Sequence, residues 1–347
     1  MPVTRLPDLP KAEVAAEQRR QQIAQIRDYY AQLARVDNVA FQLRTANRTF
    51  CKKTSAQIGL RAATVRSLPR KFRSYTREAL RIGWNVPTAL SVADGSPAAV
   101  AGIQTGDQIL TFDNEALPAT GTASWIGKWL KAHGERPLQV MVRRDGADTL
   151  HTVYPVTACA IPIQYRTDPD PNAATNGSRI VIQSGILRVA RSDAELAAVI
   201  GHELAHANLG HYNKQAWNAL LGEVGGAMVD GGFMLGGVYT GRTFSRYFEK
   251  VGARAFSVEF EREADYVGAY YAARAGYDVS GVGEFWRAMA LEHPDAIRLA
   301  VTHPITPARF VQMQKVAAEI ADKKRAHLPL IPEMKEEQAV SAREGGS

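Results

Sequence analysis

His202, Glu203 and His206 stand in the spacing H-E-x-x-H. On a helix, two histidines four residues apart lie on one face and can grip one metal ion through their ring nitrogens. The carboxylate between them lies beside that ion, where it can take a proton from a metal-bound water. Imidazole and carboxylate donors suit zinc. A water activated in this way attacks a carbonyl carbon. The pattern turns up by chance in about one in 100 chains of this length at average composition, so its surroundings must decide.

Those surroundings predict a helix that ends in the motif. Ser192-Asp-Ala-Glu195 is a capping box of the form S-x-x-E. The apolar run Leu196 to Ile200 leads straight into His202, and Gly210 offers a stop. The alternative is a helix with two surface histidines and a solvated glutamate. Polar side chains ending a buried apolar helix are costly unless a metal or partner satisfies them, which favours a zinc site.

A catalytic zinc needs a third protein ligand and an open position. His211 is the nearest candidate. The metzincin pattern requires glycine at position 209 and histidine at position 212, where this chain has Leu209 and Tyr212. That class is rejected, and His211 is read as a helix-end polar residue. The stretch Glu259-Phe-Glu261-Arg-Glu263-Ala-Asp265 offers more, on a helix expected from about Ser257 to Ala275. Glu261, Ala264, Asp265, Gly268 and Ala272 form one stripe, small except for its two carboxylates, that allows another helix close. Glu263 shares a bulkier face with Glu259, Tyr266 and Tyr270, turned away. Glu261 is therefore the expected third ligand, and Asp265, one turn on, is expected to orient a zinc-binding histidine. The competing account is a solvated acidic helix start favoured by the helix dipole.

H-E-L-A-H followed by E-R-E-A-D resembles the zinc peptidases that include the CAAX prenyl proteases, the HtpX-like proteases and the BepA-like proteases. Their signature is HExxH, then ExxxD on a later helix with the first Glu as ligand. The resemblance agrees with the face argument for Glu261 and Asp265. Ser178 to Leu187 is similar to the strand and turn before that family's active-site helix. Thr302-His303-Pro304-Ile-Thr-Pro307-Ala-Arg309 is similar to its T-H-P-x-T-P-x-R segment. The resemblance covers roughly residues 160 to 322. One departure is the lead into the strand, Asn172-Ala-Ala-Thr-Asn-Gly177, which lacks the usual Pro-Gly-Gly. The resemblance also places His303 near the site. There it would stabilise a developing oxyanion or swing onto the zinc as a latch, with a turn-capping histidine as the bland alternative.

Gly95-Ser-Pro-Ala-Ala-Val-Ala-Gly-Ile103 and Gly106-Asp-Gln-Ile109 resemble a run found in bacterial PDZ domains. Ser124 to His133 suits the helix flanking a PDZ groove. Pro137 to Arg144 alternates like a strand, with Asp145-Gly146 as a hairpin turn. The carboxylate-binding loop of such a domain is expected near Ile82-Gly83-Trp84. A PDZ domain binds an extended peptide at a sheet edge, or here only packs on the peptidase or gates it.

The expected fold class is α+β. A mainly helical zincin-type (gluzincin) metallopeptidase domain at 158–325 follows an N-terminal helical region at 1–80 and a PDZ-like β-sandwich or barrel at 81–157. A polar, disordered tail occupies 326–347. Lys11 to Arg35 reads as helix, with Ile23, Ile26, Tyr30 and Leu33 on one face. Residues 52–80 read as basic and irregular. The net charge of +7 favours acidic surfaces or nucleic acid in principle. The basic residues are scattered and no nucleic-acid-binding motif is present, so protein or peptide substrates are the expected partners. Ala216 to Gly241 is apolar and glycine-rich, but Glu223 and Asp230 interrupt it. It reads as a flap able to touch lipid, or a buried hairpin, rather than a membrane span.

Met1-Pro-Val-Thr-Arg-Leu-Pro7 lacks the apolar stretch of a secretory leader. The protein is then cytoplasmic, or exported with its leader missing from this sequence. Cys51 and Cys159 are either two buried thiols or a disulfide suited to an oxidising compartment. The PDZ-bearing relatives favour the periplasm or cell envelope. The expectation is one zinc per chain, held by His202, His206 and Glu261, with Glu203 as general base. Two other classes compete: a chaperone-like or PDZ-mediated binding protein with a latched zinc site, and a metal-dependent hydrolase of a non-peptide amide.

Overall fold

The computed structural model describes residues 7, 9–68, 70, 73–211, 243–292 and 307–333. The chain divides into two compact units, Met1–Phe41 with Thr54–Ala158, and Gln42–Lys53 with Cys159–Ser347.

In the first unit the order is α1 (Lys11–Ala46, of which residues to Phe41 belong here), β1 (Thr54–Gln57), β2 (Leu60–Ala63), α2 (Arg73–Leu80) and β3 (Thr88–Val92). Then follow α3 (Pro97–Val100), β4 (Gln108–Phe112), β5 (Glu115–Ala116), α4 (Thr122–His133), β6 (Leu138–Arg144), β7 (Ala147–Val153) and β8 (Val156–Cys159). An antiparallel sheet runs β2-β3-β4-β6-β7, with β5 paired to β4, and β1 pairs separately with β8. Ile109, Phe112, Leu138 and Val140 meet Ile126 and Trp129 of α4 in its core. The hairpin between β6 and β7 turns at Asp145 and Gly146, both with positive φ, as the Asp-Gly pair predicts.

One expectation needs correction here. Residues 52–80 are not irregular, because β1 and β2 fall within them and β2 is an edge of the main sheet. Leu60-Arg-Ala-Ala63 contains no β-branched residue, so its propensity gave no strand signal. The sheet therefore reaches back before residue 81. Both β1 and β2 pack against α4, with Ile58 and Gly59 between them. Gly59 has φ +69, and a Cβ there would fall 2.2 Å from that of Ser96.

The second unit contains β9 (Ile163–Arg166), β10 (Ala173–Thr175), β11 (Ile180–Gln183), α5 (Ile186–Val189) and α6 (Asp193–Leu209). Then come α7 (Thr243–Arg274), α8 (Val282–Glu292) and α9 (Pro307–Arg325). Both halves of the capping box form at the start of α6, and Gly210 closes it at φ 72, donating its N–H to the His206 carbonyl. Helices α6 and α7 cross at Gly201 and Gly268. A Cβ on Gly201 would meet the Gly268 carbonyl oxygen at 2.7 Å, and one on Gly268 would meet the His202 nitrogen at 2.7 Å. Neither helix can carry a side chain there at this separation, and that closeness brings Glu261 within reach of the histidines.

A polar knot fastens the start of this unit to the helix pair. Asn47 donates to the Tyr271 carbonyl and accepts from Arg274, while Asn208 of α6 donates to Cys51 Sγ and the Tyr271 hydroxyl. Cys51 and Cys159 form a disulfide. Residues 328–333, expected in the disordered tail, instead lie along the unit. Arg274 donates to the Leu330 carbonyl, and Lys323 to that of Ile331. The apolar stretch Ala216 to Gly241 lies outside the described residues, and no described helix is long and apolar enough to cross a membrane.

Candidate metal centre

His202, His206 and Glu261 converge, all three buried. His202 Nε2 lies 3.0 Å from His206 Nε2 and 3.3 Å from Glu261 Oε2, and His206 Nε2 lies 3.2 Å from Glu261 Oε1. Among the described residues this is the one cluster of three such side chains with ligating geometry. A tetrahedral zinc with bonds near 2.05 Å sets its ligands about 3.3 Å apart, so the spacing fits.

The protons fit as well. His202 Nδ1 stands 3.0 Å from Asp265 Oδ1, a carboxylate oxygen that only accepts, so that nitrogen carries the hydrogen and Nε2 is left with its lone pair. His206 Nδ1 faces His211 Nδ1 at 2.9 Å, and His211 Nε2 faces Glu263 Oε2 at 3.0 Å. Read from the carboxylate inward, His211 donates to Glu263 and accepts from His206, whose Nε2 also keeps its lone pair. Two imidazole lone pairs and a carboxylate thus face one another at about 3 Å. That contact is repulsive unless a cation lies between them.

Charge points the same way. Among the described residues, three buried carboxylates, Glu203, Glu261 and Asp265, gather here with one buried guanidinium, Arg309. Arg309 grips Asp265 through Nε at 2.6 Å and Nη2 at 2.8 Å, and its Nη1 lies 3.3 Å from Glu261. Burial raises the Asp265 pKa, but Arg309 and His202 outweigh it and hold the carboxyl below its usual range. Without a metal, burial would lower His202, yet Asp265 and Glu261 together lift it to about 10. Burial and the charge on His202 push His206 down to about 4. A proton on His202 is the cluster's own partial substitute for a divalent ion.

Glu203 is buried alongside, close enough for its charge to act on His206 and Arg309. Trp286 of α8 walls the site, its ring 5.6 Å from that of His202 with Arg309 over it at 5.1 Å. His303 lies outside the described residues. Two residues had escaped the sequence reading. His211 is not a loose helix-end group: it is 2% exposed and reaches both His206 and Glu263. The left-handed Gly210 lets the chain fold back, which helical-face counting cannot anticipate. Arg309 was visible only as the last residue of a motif, yet it heads the fully buried side chains by volume.

The strand expected within Ser178 to Leu187 forms as β11. β11 runs parallel to β9 and antiparallel to β10, so it is the middle of the three and its backbone is already paired on both sides. A period-two pattern identifies a strand but not its place in a sheet.

A helix pair that brings H-E-x-x-H against a glutamate of a later helix sets a triad that could hold a metal ion in an α+β protein. Residues 160–317 match the model of Peptidase family M48, and residues 88–144 match the PDZ domain model. The chain carries an M48 peptidase domain preceded by a PDZ domain. Mitochondrial metalloendopeptidase OMA1 of Arabidopsis thaliana is 38% identical over 104 residues, which are 29% of this chain and 19% of that protein. The chain thus spans well under two thirds of that relative. The HtrA3 PDZ domain bound to a phage-derived ligand is 25% identical, with a TM-score of 0.24, covering 30% of this chain and 88% of that one. The HtrA-type protease AlgW with a decapeptide is 21% identical, with a TM-score of 0.24 and 30% of each chain covered.

Proposed function

We propose that this chain is a zinc-dependent endopeptidase of the gluzincin type. The observation that carries this reading is the buried meeting of His202 Nε2, His206 Nε2 and Glu261, three donors with the spacing of one metal site. Zinc held by those residues supplies a Lewis acid for the scissile carbonyl and lowers the pKa of water towards ~7. Glu203 takes the proton of the attacking water and passes it to the leaving amine. Asp265 keeps His202 in the tautomer whose Nε2 can bind metal, and Arg309 holds Asp265 in place.

β10, an edge of its sheet that packs on α6, is the strand available to pair with an extended substrate. In the PDZ unit the edge of β2, beside α4, is where a peptide segment would add, recruiting substrate or regulating access. The Cys51–Cys159 bridge supports an oxidising compartment such as the periplasm or cell envelope, with a role in protein quality control or processing. The test is cleavage of labelled casein. Activity should vanish on chelation and return with stoichiometric zinc. Casein left intact by zinc-loaded protein would count against a general endopeptidase.

A further inference from the structure

His211 and Glu263 stand outside the ligand set, yet their geometry mirrors that of Asp265. We propose that His211, anchored by Glu263, is a positioning residue that fixes the tautomer and ring orientation of His206 and thereby sets metal affinity. The inference rests on the ligand reading of His206.

The order of donors follows from Glu263. An ionised carboxylate only accepts, so the 3.0 Å contact places a hydrogen on His211 Nε2. A neutral His211 then offers a lone pair at Nδ1, and the 2.9 Å contact makes His206 Nδ1 the donor. His206 Nε2, 3.2 Å from Glu261, is left open to bind a metal. Without the carboxylate the pair can reverse: His211 Nδ1 donates, His206 Nδ1 accepts, and the hydrogen on His206 moves to Nε2 and blocks the ligand atom.

The His211 ring is also held mechanically. It is 2% exposed, stacks on Phe260 at 4.5 Å and 15°, and meets the His206 ring at 80°. Phe260 and Glu263 are both on α7, the helix that supplies Glu261, so one helix delivers a ligand to the metal and an orienting chain to its neighbour. The two orienting groups differ in setting. Asp265 is buried under Arg309, whereas the Glu263 side chain is 49% exposed. Glu263 can therefore be changed with little risk to the fold.

The experiment is zinc affinity by chelator competition on full-length wild type, Glu263→Ala, Glu263→Gln, His211→Phe and His206→Ala, beside the melting temperature of each zinc-free protein. Loss of an orienting partner is expected to weaken zinc binding about 10- to 100-fold. Glu263→Ala and His211→Phe should show that loss. Glu263→Gln, which keeps an acceptor, should recover much of it, and the zinc-free melting temperature of Glu263→Ala should match wild type. Wild-type affinity in both Glu263→Ala and His211→Phe would overturn the inference while leaving the ligand set standing. A wild type that binds no zinc, or a His206→Ala variant that binds it equally well, would overturn the ligand set and this inference with it. Equal weakening by Glu263→Ala and Glu263→Gln with a lowered zinc-free melting temperature would assign Glu263 a structural role and also overturn it.

Discussion

Each unit of this protein buries an aspartate against an arginine, and the two pairs have different meanings. In the PDZ unit, Asp107 accepts from Arg144 at 2.6 and 2.7 Å and from the Gln104 backbone nitrogen at 2.7 Å. One carboxylate meets one guanidinium, and Arg144 spends its remaining bond on the Gly102 carbonyl at 2.8 Å. Burial alone would raise the Asp107 pKa, but these bonds hold it low. The pair staples the turn before β4 to the end of β6. In the helix pair, Asp265 and Arg309 make the same bidentate contact, yet two further buried carboxylates stand beside it. A polar cluster whose charges close on themselves is architecture. One in which two imidazole nitrogens and a carboxylate converge on a common point has the geometry of a metal site.

The comparison breaks most sharply at Glu261. Glu261→Ala should lose nearly all bound zinc by elemental analysis, whereas Glu263→Ala should keep zinc at saturating concentration. Equal zinc in wild type and Glu261→Ala would remove the difference between the two clusters. Arg144→Ala should do the opposite: leave zinc untouched and lower stability by about 1–3 kcal/mol in urea unfolding, the cost of a buried acceptor losing its partner, at the low end because Arg144 is partly exposed. A loss of zinc in that variant would show that the staple is not purely architectural.

Stability against pH sharpens the same contrast. In chelator-treated protein His202 is held above its unfolded value, so its contribution is complete below about 6.5 and fades as pH rises through about 10. His206 is held below its unfolded value, so its contribution is present above about 6.5 and fades as pH falls towards about 4. The urea midpoint of the metal-free protein should therefore peak near pH ~6.5, and zinc should flatten the alkaline arm. A metal-free profile flat from pH 5 to 9 (~) would contradict the electrostatics drawn for the site. His303 carries the smallest expected effect. His303→Ala lowers kcat with zinc retained if the residue stabilises an oxyanion, and raises activity if it latches the metal. Unchanged kinetics would remove it from the chemistry.

What could be read from the sequence follows from how local each signal is. The α6 cap, the H-E-x-x-H face and the small stripe carrying Glu261, Asp265 and Gly268 are written within a few turns of helix, and the structure brings those side chains together. The Asp145-Gly146 turn is local in the same way. Non-local features were hidden. β2 has weak strand propensity and exists because β3 and the sheet recruit it. β11 reads as a strand, but its central place depends on partners 17 residues before it and on β10. His211 belongs to the site only because Gly210 turns the chain, and Arg309 only because α9 packs on α7.

The central claim is that Glu203 performs proton transfer beside a zinc held by its neighbours. Its most direct test is the single-turnover rate of labelled-peptide cleavage by wild type and Glu203→Gln, with one zinc per chain verified in both. The expected result is a fall of about 10²–10⁴ or more at unchanged zinc content, the range for lost acid–base catalysis. Turnover by Glu203→Gln at the wild-type rate, in preparations free of contaminating protease, would contradict it.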